Sequence, residues 1–295
     1  MAYTKLTPRH TPDARVEEIS HGLSYRLSIP AGSADKYRLA QLDDYTKIPR
    51  SRFPVGFPLT LNLSARVSSN SIPGTWGFGL WNDPFGLSLG FGGNPFRLPA
   101  LPNAVWFFGA SEESYLSFKS FRAGPNEVQA KRALQINSQF QDATSAIPRA
   151  SSAKGATNAP FSAQREDFAA NGFLAQTFRS PWFHPDLILA GLALPFSRKV
   201  TRRLLGKVID EDGIRLSVDV TQWHRYRLEW REDRARFEVD NLPVFESRVR
   251  PNPPLGLVIW IDNQYAAFTP EGKIGFGVLE NPEPAWLEID ELTVS

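Results

Sequence analysis

Two short segments place a tryptophan and an aspartate two residues apart, at Trp81/Asp83 and at Trp260/Asp262. On a β-strand, residues two apart point to the same side, so each pair sets an indole beside a carboxylate. An aromatic face with a few placed hydrogen-bonding groups is the common form of a small-molecule pocket, and it suits the C–H groups and hydroxyls of a sugar. The pairs therefore predict a ligand-binding surface with the indoles as stacking platforms. The polar residues predicted to flank this surface are Asn82, Asn263 and Tyr265.

The first pair ends the segment TWGFGLWND, residues 75–83, in which glycine alternates with bulky residues. One face of this predicted strand carries Gly77, Gly79 and Trp81, and the other carries large apolar side chains that suit a core. Glycine inside a strand costs stability and often marks the close approach of a ligand or of another part of the protein. Two interpretations follow. Either open space over the glycines is the floor of a groove, or a neighbouring segment packs against them.

Three carboxylates are the candidates for acid–base chemistry. They are Asp83, Asp262 and Glu112, which sits in the turn-like segment GASEESYLSF. A retaining glycosidase needs two carboxylates about 5 Å apart, and the sequence does not show which acids approach each other. The alternative is that each aspartate ends its strand at a turn and that Glu112 is solvated. Whether the chain is an enzyme therefore stays open at this stage.

Composition excludes several kinds of site. The 295 residues include no cysteine, so disulfides, zinc–thiolate sites, iron–sulfur clusters and thiol catalysis are excluded. Four scattered histidines show no spacing typical of metal ligands, and no loop has the dense oxygen pattern of a calcium site. The net charge of +2 does not indicate a nucleic-acid binder. We identify no metal-ligand residues and expect no cofactor and no nucleic-acid partner, while calcium binding by loop carboxylates stays open.

The apolar segments are too short to span a bilayer. The longest apolar run, residues 187–196, is far below the roughly 20 residues required, and the N-terminus lacks the apolar core of a signal peptide. We therefore expect a soluble, cytoplasmic protein. The stretch 186–207 is apolar first and basic afterwards. It favours a lid over the domain, with peripheral contact to an anionic membrane as the alternative.

Strand patterns separated by glycine, proline and asparagine dominate both ends of the chain. The clearest is LTLNLSARVS, residues 59–68, in which apolar and polar residues alternate strictly. About a dozen such segments predict a single all-β domain over 1–295, a β-sandwich or jelly roll. Residues 122–212 differ in composition and residue pattern from both ends of the chain, and they predict a helical and flexible insertion that could form a lid. Within it we predict a helix over 161–178 and a second helix capped by Ser197 and ending at Gly206.

The segment WHRYRLEWREDRARFEVDNLPVFES and the final GKIGFGVLENPEPAWLEIDELTV resemble the late strands of concanavalin A-like lectin/glucanase domains. This resemblance covers residues 214–295 best, extends loosely to 55–121, and implies a concanavalin A-like β-sandwich. Laminarinase-like members carry an E-x-D-x-x-E catalytic strand, whose counterpart by position here, TWGFGLWND, contains no glutamate. We carry over none of their catalytic residues.

Three classes of function are compatible with these observations. The first, which we favour, is a carbohydrate-binding protein with an aromatic concave groove. The second is an enzyme, either a glycoside hydrolase or lyase with a non-standard acid pair, or one acting on an apolar small molecule under a lid. The third is a structural or interaction domain without a small-molecule site. Fold by itself decides among none of these.

Overall fold

A computed structural model describes residues 6–20, 23–84, 100–117, 163–164, 171–181, 197–269, 271 and 273–295. Strands dominate these ranges, with one short 3-10 helix at Arg50–Arg52 and one α-helix, α1, at Arg198–Val208. The strands are β1 Thr7–His10, β2 Arg15–Ser20, β3 Ser24–Ile29, β4 Leu39–Asp43, β5 Leu59–Val67, β6 Thr75–Trp81, β7 Ala104–Ala110, β8 Ala163–Gln164, β9 Gly172–Arg179, β10 Asp210–Leu216, β11 His224–Trp230, β12 Ala235–Val239, β13 Leu242–Ser247, β14 Gly256–Asp262, β15 Gln264–Phe268, β16 Ile274–Val278 and β17 Ala285–Val294.

The strands form two large antiparallel sheets and a separate hairpin. The first sheet has eight strands in the order β1-β4-β14-β6-β7-β9-β10-β8, and the second has seven in the order β13-β12-β11-β5-β17-β3-β2. Strands β15 and β16 form a two-stranded sheet of their own. Neighbours in the large sheets are often far apart in sequence, as with β14 beside β6 and β17 beside β5. The described chain is thus an all-β sandwich, which confirms the predicted fold class.

One continuous apolar core lies between the two sheets. Strand β5 buries every second residue, and Leu61 and Leu63 are each at most 2% exposed. From the opposite sheet, Phe78 and Phe107 meet Tyr226, with ring centroids 5.0 to 5.5 Å apart. Burying one such side chain stabilises the fold by about 1.5–3 kcal/mol. The alternating pattern read from the sequence of β5 therefore corresponds to the inner and outer faces of a sheet.

Part of the predicted insertion belongs to the first sheet. Residues 161–178, predicted to be a helix, include β8 and most of β9, and β9 pairs along most of its length with β7. The helix prediction was wrong there because Phe173 and Ala175 alternate with Leu174 and Gln176 across the two faces, a period of two rather than 3.6.

The second predicted helix is present. Ser197 caps α1 by accepting a hydrogen bond from the backbone N–H of Val200, and the helix runs two residues past Gly206 to Val208. The buried guanidinium of Arg202 donates to the backbone oxygens of Ser117 and Phe268. Because Phe268 ends β15, this contact ties the helix to the hairpin. Of the predicted lid, residues 186–196 lie outside the described residues, and no described helix is long and apolar enough to cross a membrane.

Candidate functional site

The eight-stranded sheet has an outer face, directed away from the core, whose side chains line up in rows across neighbouring strands. One row runs Gln41, Trp260, Gly77, Phe108, Leu174, from β4 to β9. The next row runs Asp43, Val258, Gly79, Trp106, Gln176. A third row contains Gly256, Trp81, Ala104, Phe178 and Glu211. Strand pairing therefore gathers residues from distant segments onto one surface.

Three indoles meet on this outer face. The rings of Trp81 and Trp260 are nearly parallel, at 4°, with centroids 6.1 Å apart. Trp106 lies 6.0 Å from Trp81 and 5.6 Å from Trp260. Trp81 is half-buried, whereas Trp106 and Trp260 are buried. We call these three residues the tryptophan cluster. The sequence patterns anticipated two of its members and missed Trp106, although W-x-F in AVWFFGA alternates in the same way.

The glycines of β6 accommodate the protein's own rings. A Cβ added at Gly77 would lie 2.9 Å from Cη2 of Trp260 and 2.4 Å from the backbone oxygen of Phe107. At Gly79 it would meet the backbone oxygen of Val105 at 2.4 Å and Cα of Trp106 at 2.6 Å. The space over Gly77 is filled by an indole, so of the two interpretations the second, close packing by a neighbouring segment, applies here.

Asp262 lies at the end of β14 with its carboxylate enclosed by donors. One oxygen, Oδ1, accepts from Thr75 Oγ1 at 2.8 Å and from the backbone N–H groups of Thr75 and Gln264, each at 3.2 Å. The other oxygen accepts from Tyr37 Oη at 3.2 Å. Burial raises the pKa of Asp262 to about 6, and these hydrogen bonds oppose the rise. Thr75 Oγ1 also accepts from the indole of Trp260 at 2.9 Å, which fixes that ring.

Asn82 and Asp83 turn the chain after β6. The Asn82 amide donates to the backbone oxygen of Leu101, and its Oδ1 accepts from the backbone N–H of Asn103. Asp83 has a left-handed backbone, φ 47°, and is 5% exposed. The guanidinium of Arg50 donates to the backbone oxygens of both residues at 2.6 Å. These contacts hold the turn in shape.

The antiparallel pairing of β6 and β14 brings the two indoles together and separates the two acids. Asp262 pairs with Thr75, at the opposite end of β6 from Asp83. The chain from Thr75 to Asp83 spans roughly 26 Å if it is extended throughout. The distance is far beyond that of a retaining or inverting acid pair. Asp83 and Asp262 therefore cannot act together on one glycosidic bond in this arrangement.

The remaining two flanking candidates lie beside the end of β14. Asn263 is fully buried, its amide donates to the backbone oxygens of Lys36 and Leu279, and its Oδ1 accepts from the backbone N–H of Arg38. Tyr265 is half-buried on the hairpin, where its ring lies across Gly277. Asn263 thus joins three segments of the chain. Within the described residues, neither Asn263 nor Tyr265 makes a hydrogen bond to the tryptophan cluster.

A chain of polar groups adjoins the half-buried indole of Trp81. Its Nε1 donates to Tyr45 Oη at 2.6 Å, and Tyr45 Oη also accepts from Gln41 Nε2 at 3.3 Å. The same Gln41 nitrogen donates to Asp43 Oδ2 at 2.8 Å. Burial, followed by the charges of Asp83 and Asp43, raises the pKa of Tyr45 well above its ordinary value. The phenol therefore stays neutral and keeps its proton for hydrogen bonding.

A second polar chain starts at Trp106, and the sequence patterns did not indicate it. The indole Nε1 of Trp106 donates to Gln176 Oε1 at 3.3 Å, and Gln176 Nε2 donates to Glu211 Oε1 at 3.0 Å. Gln176 and Glu211 are buried. Glu211 belongs to the segment DEDGIRL, where acids occupy both faces of the strand. Nothing in that pattern signals that one of them points toward an aromatic cluster.

Glu112 lies elsewhere, in an open cleft at one end of the sandwich. The cleft has a volume of about 490 Å³, and Glu112 and Glu113 line it together with core-side residues such as Trp76 and Phe173. Asp262 is not among the residues that line this cleft. Among the described residues, no group of three or more histidine or acidic side chains could hold a metal ion.

Comparison with known proteins adds likenesses of fold. No family model and no curated protein matches the chain. Similar solved structures include a glycoside hydrolase family 16 protein from Bacteroides ovatus, in complex with a G4G4G3G product (9% identity, 98% of this chain, 94% of that one, TM-score 0.43). LamAcat from Zobellia galactanivorans is 14% identical (92% and 80%, TM-score 0.41). A GlcNAcα1-4Gal-releasing endo-β-galactosidase from Clostridium perfringens is 10% identical (98% and 58%, TM-score 0.43). A glycoside hydrolase family 16 protein is thus among the structures to which this chain is similar.

Proposed function

We propose that this protein binds a carbohydrate on the outer face of its eight-stranded sheet, beside the half-buried indole of Trp81. The observation that supports this most is the composition of that face. Its described part combines the tryptophan cluster with six buried polar side chains, whereas the opposite face of the same sheet is largely apolar. The six are Gln41, Asp43, Thr75, Gln176, Glu211 and Asp262.

A sheet that only had to cover a core would not need these polar groups, because burying each one costs free energy unless it is hydrogen-bonded. Here two hydrogen-bonded chains link most of them to indoles of the cluster, one through Tyr45 and the other through Gln176. Rings held at fixed angles by polar neighbours are suited to a sugar, whose C–H face packs on an indole while its hydroxyls exchange hydrogen bonds. Trp81 is the least buried indole of the cluster.

Binding without hydrolysis fits the described residues better than catalysis. Three buried carboxylates of the outer face lie on strands, those of Asp43, Glu211 and Asp262, and the turn after β6 adds Asp83, whose charge acts on Tyr45 together with that of Asp43. Glu211 is five strands away from Asp43, roughly 24 Å at the usual strand spacing. Asp262 is one strand and four residues from Asp43, roughly 14 Å. No two of the three strand carboxylates are at the roughly 5 to 10 Å that glycoside hydrolysis uses.

A glycan array with the wild type and Trp81→Ala tests the proposal. We expect the wild type to retain a set of glycans and Trp81→Ala to bind them about tenfold more weakly, equivalent to about 1.4 kcal/mol. Trp223→Ala is the matched control, since Trp223 is an exposed indole next to the other sheet. Trp81→Phe keeps an aromatic ring but removes the donor to Tyr45, and should give an intermediate loss. Equal retention by wild type and Trp81→Ala, or none by either, would contradict the proposal.

A further inference from the structure

The cleft at the end of the sandwich has the size and lining of a second binding site. Its volume of about 490 Å³ falls in the range of small-molecule pockets. It lies between the ends of β6, β7 and β9 and the segment after β10, so it is built on sheet positions at its base. It does not include any residue of the tryptophan cluster.

One wall of the cleft is aromatic and rigid. Trp76 and Phe173 stack with centroids 5.0 Å apart and an angle of 12°. Gly109 makes room for the indole, because a Cβ there would lie 2.2 Å from Trp76 Nε1. Aliphatic side chains extend this wall. They are Ile72, Leu216, Val218 and Val220.

The rim of the cleft carries charged side chains, of which the basic one is hydrogen-bonded and the two acidic ones are not. The guanidinium of Arg215 is engaged with Asn171, donating to its backbone oxygen and to its side-chain oxygen. The exposed side chains of Glu112 and Glu113 make no hydrogen bond or ion pair with the residues that the structure describes. Ser111, in the same turn, has a buried Oγ without a hydrogen-bond partner among those residues. The rim thus offers two uncompensated carboxylates and a spare hydroxyl above an apolar wall.

We propose that this cleft binds a small amphiphilic amine, with its apolar body on the Trp76–Phe173 wall and its ammonium group at Glu112 and Glu113. An ammonium group beside two carboxylates gains Coulomb energy from both. An anionic ligand is disfavoured because, among the described lining residues, two carboxylates outnumber the one guanidinium, that of Arg215, which is already hydrogen-bonded. A neutral apolar ligand would use the wall and leave the rim unused.

The experiment uses 2-phenylethylammonium as the probe and 2-phenylethanol as its neutral counterpart, titrated into the full chain and followed by NMR. We expect the amine to shift the indole N–H of Trp76, assigned with Trp76→Phe, and the backbone amide of Gly109. The double variant Glu112→Gln/Glu113→Gln should bind the amine about three- to tenfold more weakly, as expected for two exposed ion pairs. Its affinity for the alcohol should be unchanged.

The matched control is Glu232→Gln/Asp233→Asn, which removes the same charge from an exposed turn between β11 and β12. It should bind the amine within about twofold of the wild type, because screening weakens the effect of exposed charges that lie far from the ligand. The proposal is overturned if the wild type does not bind the amine at millimolar concentration. It is also overturned if both double variants lose affinity equally, which would indicate a net-charge effect, or if the shifts map away from the cleft.

Discussion

Replacing Asp262 with asparagine should remove a specific part of the pH dependence of stability. The carboxylate is 6% exposed, and its pKa is raised from 3.8 to about 6, first of all by burial. The folded protein therefore binds this proton more tightly than the unfolded chain does. It follows that Asp262 favours folding when protonated, and that its contribution to the free energy of unfolding declines as the pH rises from 3.8 to about 6.

The size of the effect follows from the two pKa values. A rise from 3.8 to about 6, at about 1.36 kcal/mol per pH unit, corresponds to a decline of about 3 kcal/mol that is complete above about pH 7. About half of this decline in unfolding free energy, ~1.6 kcal/mol, should have occurred by about pH 5. The amide of the asparagine variant would still offer one oxygen to Thr75, so the substitution can preserve the hydrogen bonds of Oδ1 while it removes the titration.

Urea unfolding of wild type and Asp262→Asn between about pH 4 and pH 7.5 measures this directly. The difference in unfolding free energy, wild type minus variant, should fall by about 2.4 kcal/mol over that range, because all other titrating groups cancel. Asp219→Asn is the control of opposite sign. Hydrogen bonds from Thr221 and Asn70 lower the pKa of Asp219, so its contribution is present above 3.8 and is lost only as the pH falls below it. The wild-type-minus-variant difference for Asp219 should therefore change little between about pH 4 and pH 7.5 and should fall only at lower pH. A wild-type-minus-variant difference for Asp262 that stays flat across the range would refute the assignment of a buried, titrating carboxyl.

Three further substitutions test other contacts of the site. Gly77→Ala should destabilise the fold by about 1–3 kcal/mol and displace the indole of Trp260, since the added methyl overlaps that ring. Thermal unfolding measures the loss of stability, and near-UV circular dichroism reports the displaced indole. Gly56→Ala is the control and should change neither signal, because nothing lies within 4 Å of the Cβ it adds. Asn263→Ala should cost about 2–4 kcal/mol in urea unfolding, because three backbone groups lose their partner, and a loss below about 0.5 kcal/mol would argue against that network. Ser197→Ala should cost about 0.5–1 kcal/mol and speed hydrogen exchange at the start of α1 alone, because the cap bond is long at 3.4 Å.

Local patterns in the sequence predicted the sandwich and the faces of its strands. The alternation of residue types predicted for 59–68 and 75–81 is present in the structure, because each strand must bury one face and solvate or cover the other. The helix cap at Ser197 could also be predicted from local sequence, since capping depends on a backbone group three residues away. The same local reasoning failed at β9, where a short period-two pattern within a polar segment was read as a helix.

What only the tertiary structure decided is which distant residues meet. Two Trp-x-Asp segments look equivalent in sequence, yet antiparallel pairing of β6 with β14 stacks Trp81 on Trp260 and places Asp83 and Asp262 at opposite ends of the pair. Trp106 and Glu211 reach the same face through strand order alone. The sequence determined which side of each strand a residue occupies, because that depends on a period of two. The neighbours across the sheet depend on strand order and register, which no single segment encodes.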